Sequence, residues 1–356
     1  MGNTLLIKNE SLLKWGKNCL IALGLSNDDA QFVSKSLVQT SLWGIDSHGI
    51  ARLPHYLSRI QTGSLNPEPK IEVETTGPCS ANLNGDHGLG IVVVGEATNE
   101  AITIAKKNGI GIVGIRESSH CGAIGIYGRM IAESGLIGIV FTHSDSFVAP
   151  DKGYQKFMGT NPICISVPNA EGRPVCLDMA TSAVAFNYIM NARNENRNIP
   201  DNVAYNVDGE PTENPHDVTC LMPMAEHKGY ALAFMIDLLC GPLNGMPFGL
   251  NIPPMYEDLA KKRHLGSLVI AIDPIRFFGG NDFSKSVAMM VKFAHMQQAK
   301  NKDEPVLAPG DDQYAKEAIR LEKGIPVEPG LLKQMITWSQ KLDVELPSEI
   351  KNSNLE

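Results

Sequence analysis

Apolar residues in the first sixty positions recur at the spacing of one helix face. Ala30, Val33, Leu37, Val38 and Leu42 share such a face, and Ser26-Asn-Asp-Asp29 just before them resembles a capping box that opens the helix. Gly63, Pro67 and Pro69 then break regular structure, which places a boundary near residue 70. From 71 to 145 the pattern alternates. It predicts a helix over 96–107, a strand over 110–115, a helix over 124–133 and a strand over 136–142, with Gly109 and Gly135 where C-terminal caps belong. Further on, the pattern predicts strands at 163–167 and 175–177, helices over 181–194 and 228–239, and a strand at 268–272. Beyond about residue 280 the pattern is helical again. The chain therefore reads as mixed α/β: an N-terminal helical segment (1–70), a central α/β region (71–280) and a C-terminal helical segment (281–356).

Composition narrows the classes of function. Across 356 residues, 43% hydrophobic and 20% charged is an ordinary globular balance with room for a large core. The formal net charge of −8 supplies no field to gather nucleic acid or anionic lipid, so neither is expected as a partner. An anionic ligand would need local cations, and arginines or lysines inside apolar segments become informative. Seven cysteines without a C-x-x-C pair argue against a disulfide framework or a zinc ribbon. With no basic-then-apolar leader and no long apolar run, a cytoplasmic, reducing location is the expectation.

Gly109-Ile-Gly111-Ile-Val-Gly114 spells the dinucleotide-binding fingerprint, but in the wrong context. In that fingerprint the glycines end a strand and open a helix, so that pyrophosphate meets free N–H groups. Here they follow a helix and lie within a strand, where missing side chains let a neighbouring element pack closely.

Five clusters carry candidate chemistry. His120, in Glu117-Ser-Ser-His-Cys-Gly-Ala123, follows a strand and precedes a helix; imidazole there suits proton transfer, and equally suits capping the next helix. Ser47, His48, Arg52 and Tyr56 form a polar run between two apolar helices, with Pro54 in the first turn of the second. Arg52 can grip a carboxylate with its fork while His48 and Tyr56 hydrogen-bond a substrate, or it can simply pair with an acidic neighbour. Asp178, before Met179, Ala180 and Thr181, reads as the N-cap of the helix predicted over 181–194, where either capping or contact with a cofactor's ribose fits. Lys228 opens a nearly wholly apolar helix and, if that entrance is buried, needs an anionic partner. Asn161, in Gly159-Thr-Asn-Pro162, either orients a ligand or makes an Asx turn.

In chain order, Asp46-Ser-His-Gly49 with Arg52, Ser119-His-Cys-Gly122, Gly159-Thr-Asn-Pro162, Asp178-Met-Ala-Thr181 and Lys228-Gly-Tyr230 resemble the type-2 malate/L-lactate dehydrogenase family over nearly the whole chain. Thr76-Gly-Pro-Cys-Ser-Ala81, Pro247-Phe-Gly249, Met255-Tyr-Glu-Asp-Leu259 and Leu265-Gly-Ser-Leu268 resemble its ureidoglycolate-oxidising branch, whereas Glu226-His227 and Ala231 depart from the family's pattern around the lysine. The resemblance implies a non-Rossmann NAD(P)-binding fold with helical ends packed beside a mixed sheet. It also implies a homodimer and a small 2-hydroxy acid oxidised with NAD, or with NADP. By the same resemblance His120 is the catalytic acid/base; Ser47, His48, Arg52 and Tyr56 line the substrate pocket; and Ser144, Asn161, Asp178, Met179, Ala180, Lys228 and Gly310 contact the cofactor. No residue is assigned to a metal. A rival reading, a metal-dependent hydrolase or lyase on His48, His55 and His120, matches no zinc spacing.

Overall fold

The computed structural model describes residues 4–301 and 303–351. The chain starts with β1 (Leu5–Ile7), α1 (Asn9–Ala22) and α2 (Asn27–Leu42). Ser26 caps α2 by accepting the Asp29 N–H at 3.1 Å and donating back to the Asp29 carboxylate at 2.7 Å. Two short 3₁₀ turns over 46–52 lead into α3 (Leu53–Gln61), with Pro54 in its first turn. Next come the hairpin β2 (Glu72–Gly77) and β3 (Ser80–Asn84), α4 (Gly90–Asn108), β4 (Ile110–Ser118), α5 (Gly125–Glu133), β5 (Ile137–Thr142), β6 (Ile163–Val167) and β7 (Val175–Met179). After them run α6 (Phe186–Glu195), β8 (Ala204–Tyr205), β9 (Cys220–Leu221), α7 (His227–Cys240), β10 (Leu265–Ile272), α8 (Phe283–His295), α9 (Asp311–Lys323), β11 (Ile325–Val327), α10 (Pro329–Leu342) and α11 (Ser348–Lys351).

Seven strands form the central sheet in the order β2-β3-β4-β10-β5-β6-β7. Only β3 and β4 pair in parallel, and α4 makes the crossover that a parallel pair requires. The late strand β10 lies between β4 and β5, antiparallel to both. Gly109 ends α4 with a left-handed φ of 94°, and Gly111 gives α4 its seat: a Cβ there would lie 2.2 Å from the Ala101 carbonyl oxygen. The glycine string is thus a helix cap and a packing surface. A separate core joins the two ends of the chain. Trp15, Leu37, Leu53 and Leu57 pack with Ile325, Leu332 and Met335, while β1 pairs with β11 and the Trp15 indole donates to Ser339 at 2.9 Å. Leu89 and Ile91, at the start of α4, belong to this same core.

Four expectations need correction. The α4 helix begins at Gly90 rather than near 96, because the apolar run Leu89 to Val94 is used by both cores. The helix predicted over 181–194 begins only at Phe186. Asp178 is therefore a strand residue, and it caps a different helix, accepting the Gly125 N–H at the start of α5 at 2.8 Å. The apolar α7 is not enclosed; Phe234, Met235 and Leu238 lie open on one face. Among the described residues no helix is long and apolar enough to cross a membrane.

Gly111→Ala tests the packing role. The new methyl must push α4 off the sheet, an overpacking cost of about 1–3 kcal/mol, read as a lowered thermal midpoint. Nucleotide affinity of the folded protein should stay unchanged, whereas a phosphate cradle would lose it.

Candidate active site

One cleft collects Ser47, His48 and Arg52 from the N-terminal segment, His120 and Ser144 from beyond the ends of β4 and β5, and Asp178, Met179 and Ala180 from the end of β7. Arg52 is buried, and its neighbours hold it by three hydrogen bonds. Nε and Nη2 donate to the Ser47 carbonyl at 3.1 and 2.7 Å, and Nη1 donates to the Tyr256 hydroxyl at 2.7 Å. Of five guanidinium N–H donors, two remain, one on each terminal nitrogen. Among the described residues no carboxylate forms an ion pair with Arg52, so the acidic-neighbour alternative is not what the fold uses.

His120 sits beside this charge. Its Nδ1 lies 2.6 Å from the Tyr56 hydroxyl, and the Gly122 N–H approaches the same nitrogen at 3.3 Å, which leaves Nε2 for the cleft. The His48 ring stacks on that of His120 at 5.5 Å and holds the Ser47 hydroxyl at Nδ1, 2.8 Å away. Burial and neighbouring cations keep these rings neutral. His120 is pushed well below its ordinary value, first by burial, then by His48 and Arg52. His48 is pushed down to about 3 by burial and Arg52, and His55 to about 3 by burial, Arg59 and Arg52. Burial raises the Tyr56 phenol, so it stays protonated and can donate to Nδ1 or accept from it.

Several expected contacts are displaced by one layer. Tyr56 is fully buried behind His120, with its hydroxyl on that ring, and is not among the residues lining the cleft. Asn161 is also fully buried; its Oδ1 accepts the Ser144 N–H at 3.1 Å and its Nδ2 donates to the Ala233 carbonyl at 3.0 Å, bracing Ser144 against α7 from behind the cleft. Lys228 stands exposed at the mouth of α7, outside the cleft lining, and no described carboxylate forms an ion pair with it. Gly310 opens α9 with φ 102° and lies against Arg129, while the side chain that reaches the cleft from this turn is Gln313. His48, His55 and His120 do not converge as metal ligands; among the described residues the group close enough for that is His87, Glu117 and His264.

The sequence reading missed the support on which Arg52 rests. Asp145 pairs with Arg263 at 2.6 Å, both buried, and its second oxygen accepts the Met255 N–H at 2.9 Å, anchoring the loop that carries Tyr256. Arg59, buried in α3, donates to the carbonyls of Met255 and Lys261 at 2.8 and 3.0 Å and fastens the same loop from the other side. Met255-Tyr-Glu-Asp-Leu259 was a visible block, but nothing local joins it to a helix 200 residues earlier.

The family model described as malate/L-lactate dehydrogenase matches residues 7–336. The chain belongs to that family. It is therefore an oxidoreductase acting on CH–OH groups. It is 36% identical over 331 residues to a ureidoglycolate dehydrogenase (NAD(+)) of Escherichia coli (strain K12), covering 93% of this chain and 95% of that one. It is also 36% identical over 329 residues to a malate/(S)-sulfolactate dehydrogenase of Methanothermus fervidus, covering 92% and 95%. The malate dehydrogenase structure from Entamoeba histolytica superposes with a TM-score of 0.91 at 27% identity, covering 97% of this chain and all of that one. In this family member, as expected from its glycine string, the fold is mixed α/β without the ordinary dinucleotide-binding domain.

Neutral buried histidines make stability depend on pH. The unfolded imidazoles take up protons below the ordinary value of 6.5, whereas folded His48 and His55 resist until about 3. Below 6.5 the unfolded state therefore binds more protons, and stability falls as pH falls. The thermal midpoint should drop steadily from pH 7 to pH 4.5, with a shallower slope in His55→Asn; equal slopes would remove His55 from the account.

Proposed function

We propose that this protein is a nicotinamide-dependent dehydrogenase of small monoanionic 2-hydroxy acids, with ureidoglycolate the foremost substrate and NAD the carrier. The observation that carries this reading is a buried Arg52 without a carboxylate partner, beside a neutral His120. Its two remaining N–H donors would take the substrate carboxylate, and the His48 Nε2 would hydrogen-bond the hydroxyl. His120 Nε2 would then accept the hydroxyl proton, in the tautomer in which Nδ1–H donates to the Tyr56 oxygen and the long 3.3 Å Gly122 contact is given up. The resulting imidazolium keeps its Nδ1–H on the Tyr56 oxygen, and in the reverse direction it returns the proton from Nε2 to the substrate oxygen.

The far end of the cleft fits a nicotinamide nucleotide. Ile124, Pro162, Met179 and Phe186 offer apolar walls for a planar ring, while the Ser144 hydroxyl and the Asp178 carboxylate offer polar contacts for an amide or ribose. When bound, that group accepts or gives the hydride. Lys228, exposed and unpaired, is placed for a phosphate. The substrate class follows from a count of charges. Arg52 is the one lysine or arginine among the described residues lining the cleft, and the lining beside it includes the uncharged amide of Asn187, which shares the Ser47 carbonyl with it. A malate-like or sulfonated dianion would need a second cation there; a ureido group does not.

A panel of ureidoglycolate, lactate, malate and sulfolactate with NAD and NADP tests this. Monoanions should give the higher kcat/KM, and wild type should prefer each acid over its amide. Arg52→Ala should erase that preference, Arg52→Lys should fail to restore it because the fork is lost, and His120→Ala should lower turnover about 10²- to 10⁴-fold with nucleotide affinity kept. Full acid preference in Arg52→Ala would place the carboxylate elsewhere and end the reading.

The second copy implied by the family resemblance is proposed to cover α7. A helix apolar on all sides belongs in an interior, yet Phe234, Met235 and Leu238 are open, and Leu243, Phe248 and Leu250 extend the patch. Light scattering should give twice the chain mass, and Met235→Glu should shift it to the single-chain mass. A wild-type monomer at micromolar concentration overturns this assignment.

A further inference from the structure

Outside the cleft, three side chains from distant parts of the chain meet where β3 and β4 end and β10 begins, in the middle of the sheet. His87 comes from the turn between β3 and α4, Glu117 from the end of β4, and His264 from the residue before β10. The Glu117 Oε2 lies 2.6 Å from His264 Nδ1 and 3.3 Å from His87 Nδ1, and one ligand atom from each residue falls within 4.8 Å of the other two. The two imidazole rings stand at 89° with centroids 5.1 Å apart, so both Nδ1 atoms converge on the carboxylate without the rings blocking each other. We infer that these residues form a divalent transition-metal site of the zinc class, distinct from the catalytic cleft.

A hydrogen-bonded His–Glu–His triad accounts for His264 but not for His87. The His87 Nδ1 is cut off from solvent and has no hydrogen-bond partner, with the Glu117 oxygen close by but poorly aligned. An orphaned nitrogen costs roughly 1–3 kcal/mol when left so, and a shared cation removes the cost for both rings at once. Two imidazoles and one carboxylate are a ligand set that zinc takes, at roughly 2.0–2.2 Å from each atom, with a water in the fourth position. Shifts of an ångström or so from the present separations would seat the ion. His264 keeps a third of its side chain exposed, which leaves an entry path. All three residues also hold left-handed backbone, with φ of 57°, 51° and 48°, an arrangement that costs energy in any non-glycine residue and concentrates where side chains must be aimed.

The site would be structural. Glu117 leads through Ser118 and Ser119 to His120, and His264 follows Arg263, the partner of Asp145. An ion there ties the start of α4, the end of β4 and the start of β10 into one unit ahead of the catalytic histidine, with no part in proton or hydride transfer.

The experiment uses untagged full-length protein stripped with chelator, then titrated with Zn²⁺ and, separately, with Co²⁺, without substrate or nucleotide. Wild type should bind one ion per chain, show the visible d–d bands of four-coordinate Co²⁺, and melt at a higher temperature with the ion. Glu117→Gln, which preserves shape, should weaken binding at least tenfold, as should His264→Ala. His216→Ala, an exposed histidine elsewhere, should change nothing. Equal affinity in wild type and Glu117→Gln, or no binding at stoichiometric Zn²⁺, overturns the proposal. Should His264→Ala fail to fold, the Glu117→Gln comparison alone decides. Substrate is absent throughout, so neither result bears on the dehydrogenase reading.

Discussion

A guanidinium buried without a carboxylate is the constraint around which this molecule is arranged. Arg52 retains its charge through a carbonyl and a phenol, groups that satisfy donors without neutralising them. The uncompensated charge is felt by His48, His55, Tyr56 and His120. It helps burial to hold His48, His55 and His120 in their neutral forms, and neutrality is what a proton acceptor near pH 7 requires. One feature thus prepares both the anion site and the base. A protein carboxylate paired with Arg52 would occupy the two donors that the anion needs.

Keeping such a cation in place demands rigidity from segments remote in sequence. Arg52 stands where the 3₁₀ turns meet α3, and α3 is fixed because Leu53, Tyr56 and Leu57 enter the core shared by both chain ends. Tyr256 reaches Arg52 from a loop that has little core of its own and is pinned at two buried points, Asp145 with Arg263 beneath it and Arg59 beside it. These ionic and carbonyl contacts are desolvated, so removing one partner leaves a buried charge alone and should loosen the whole loop. The terminal segments therefore build the cleft as much as the sheet does, Arg52 and its neighbours lining it from one end of the chain and Gln313 from the other.

Much of this was legible from local signals. The Ser26 cap, the Pro54 start and the Gly109 cap rest on interactions within a few residues, and those interactions were the ones formed; the strands over 110–115, 136–142 and 163–167 showed in their apolar runs, although their partners lie far along the chain. The errors have a common origin in tertiary use of ambiguous segments. Leu89 to Val94 is apolar enough to serve two cores, so its helix extends a turn and a half earlier than periodicity alone suggests. Asp178 caps a helix, but one supplied by the chain fifty residues before it rather than the one following. The α7 sequence reads as interior, yet Phe234, Met235 and Leu238 lie open on one face. Within the cleft, residue types pointed to side chains that the fold brings together, yet the distinction between lining the cleft and bracing a residue that does was invisible. Tyr56 and Asn161 fall on the second side of that line because their partners, His120 and Ser144, come from far along the chain.

The cleft also contains two acidic groups, and it matters that neither quenches Arg52. Asp145 lines the cleft but directs one oxygen to Arg263 and the other to a backbone N–H, so its charge is already answered from within the protein. Asp178 has its affinity for protons raised by burial and spends one oxygen on the start of α5, where the helix dipole favours negative charge. Each carboxylate is thus bound to a cationic end that is not Arg52. The cleft consequently has two electrostatic ends. A free cation and neutral imidazoles stand where the N-terminal segment arrives, and a carboxylate among apolar walls stands where β7 ends. In the function proposed, a small anion and a nicotinamide ring with its ribose hydroxyls would take opposite ends of such a cleft, with His120 between them. That separation of charge, achieved by giving each carboxylate another partner, would let one continuous cleft position the two chemically different ligands of the proposed transfer.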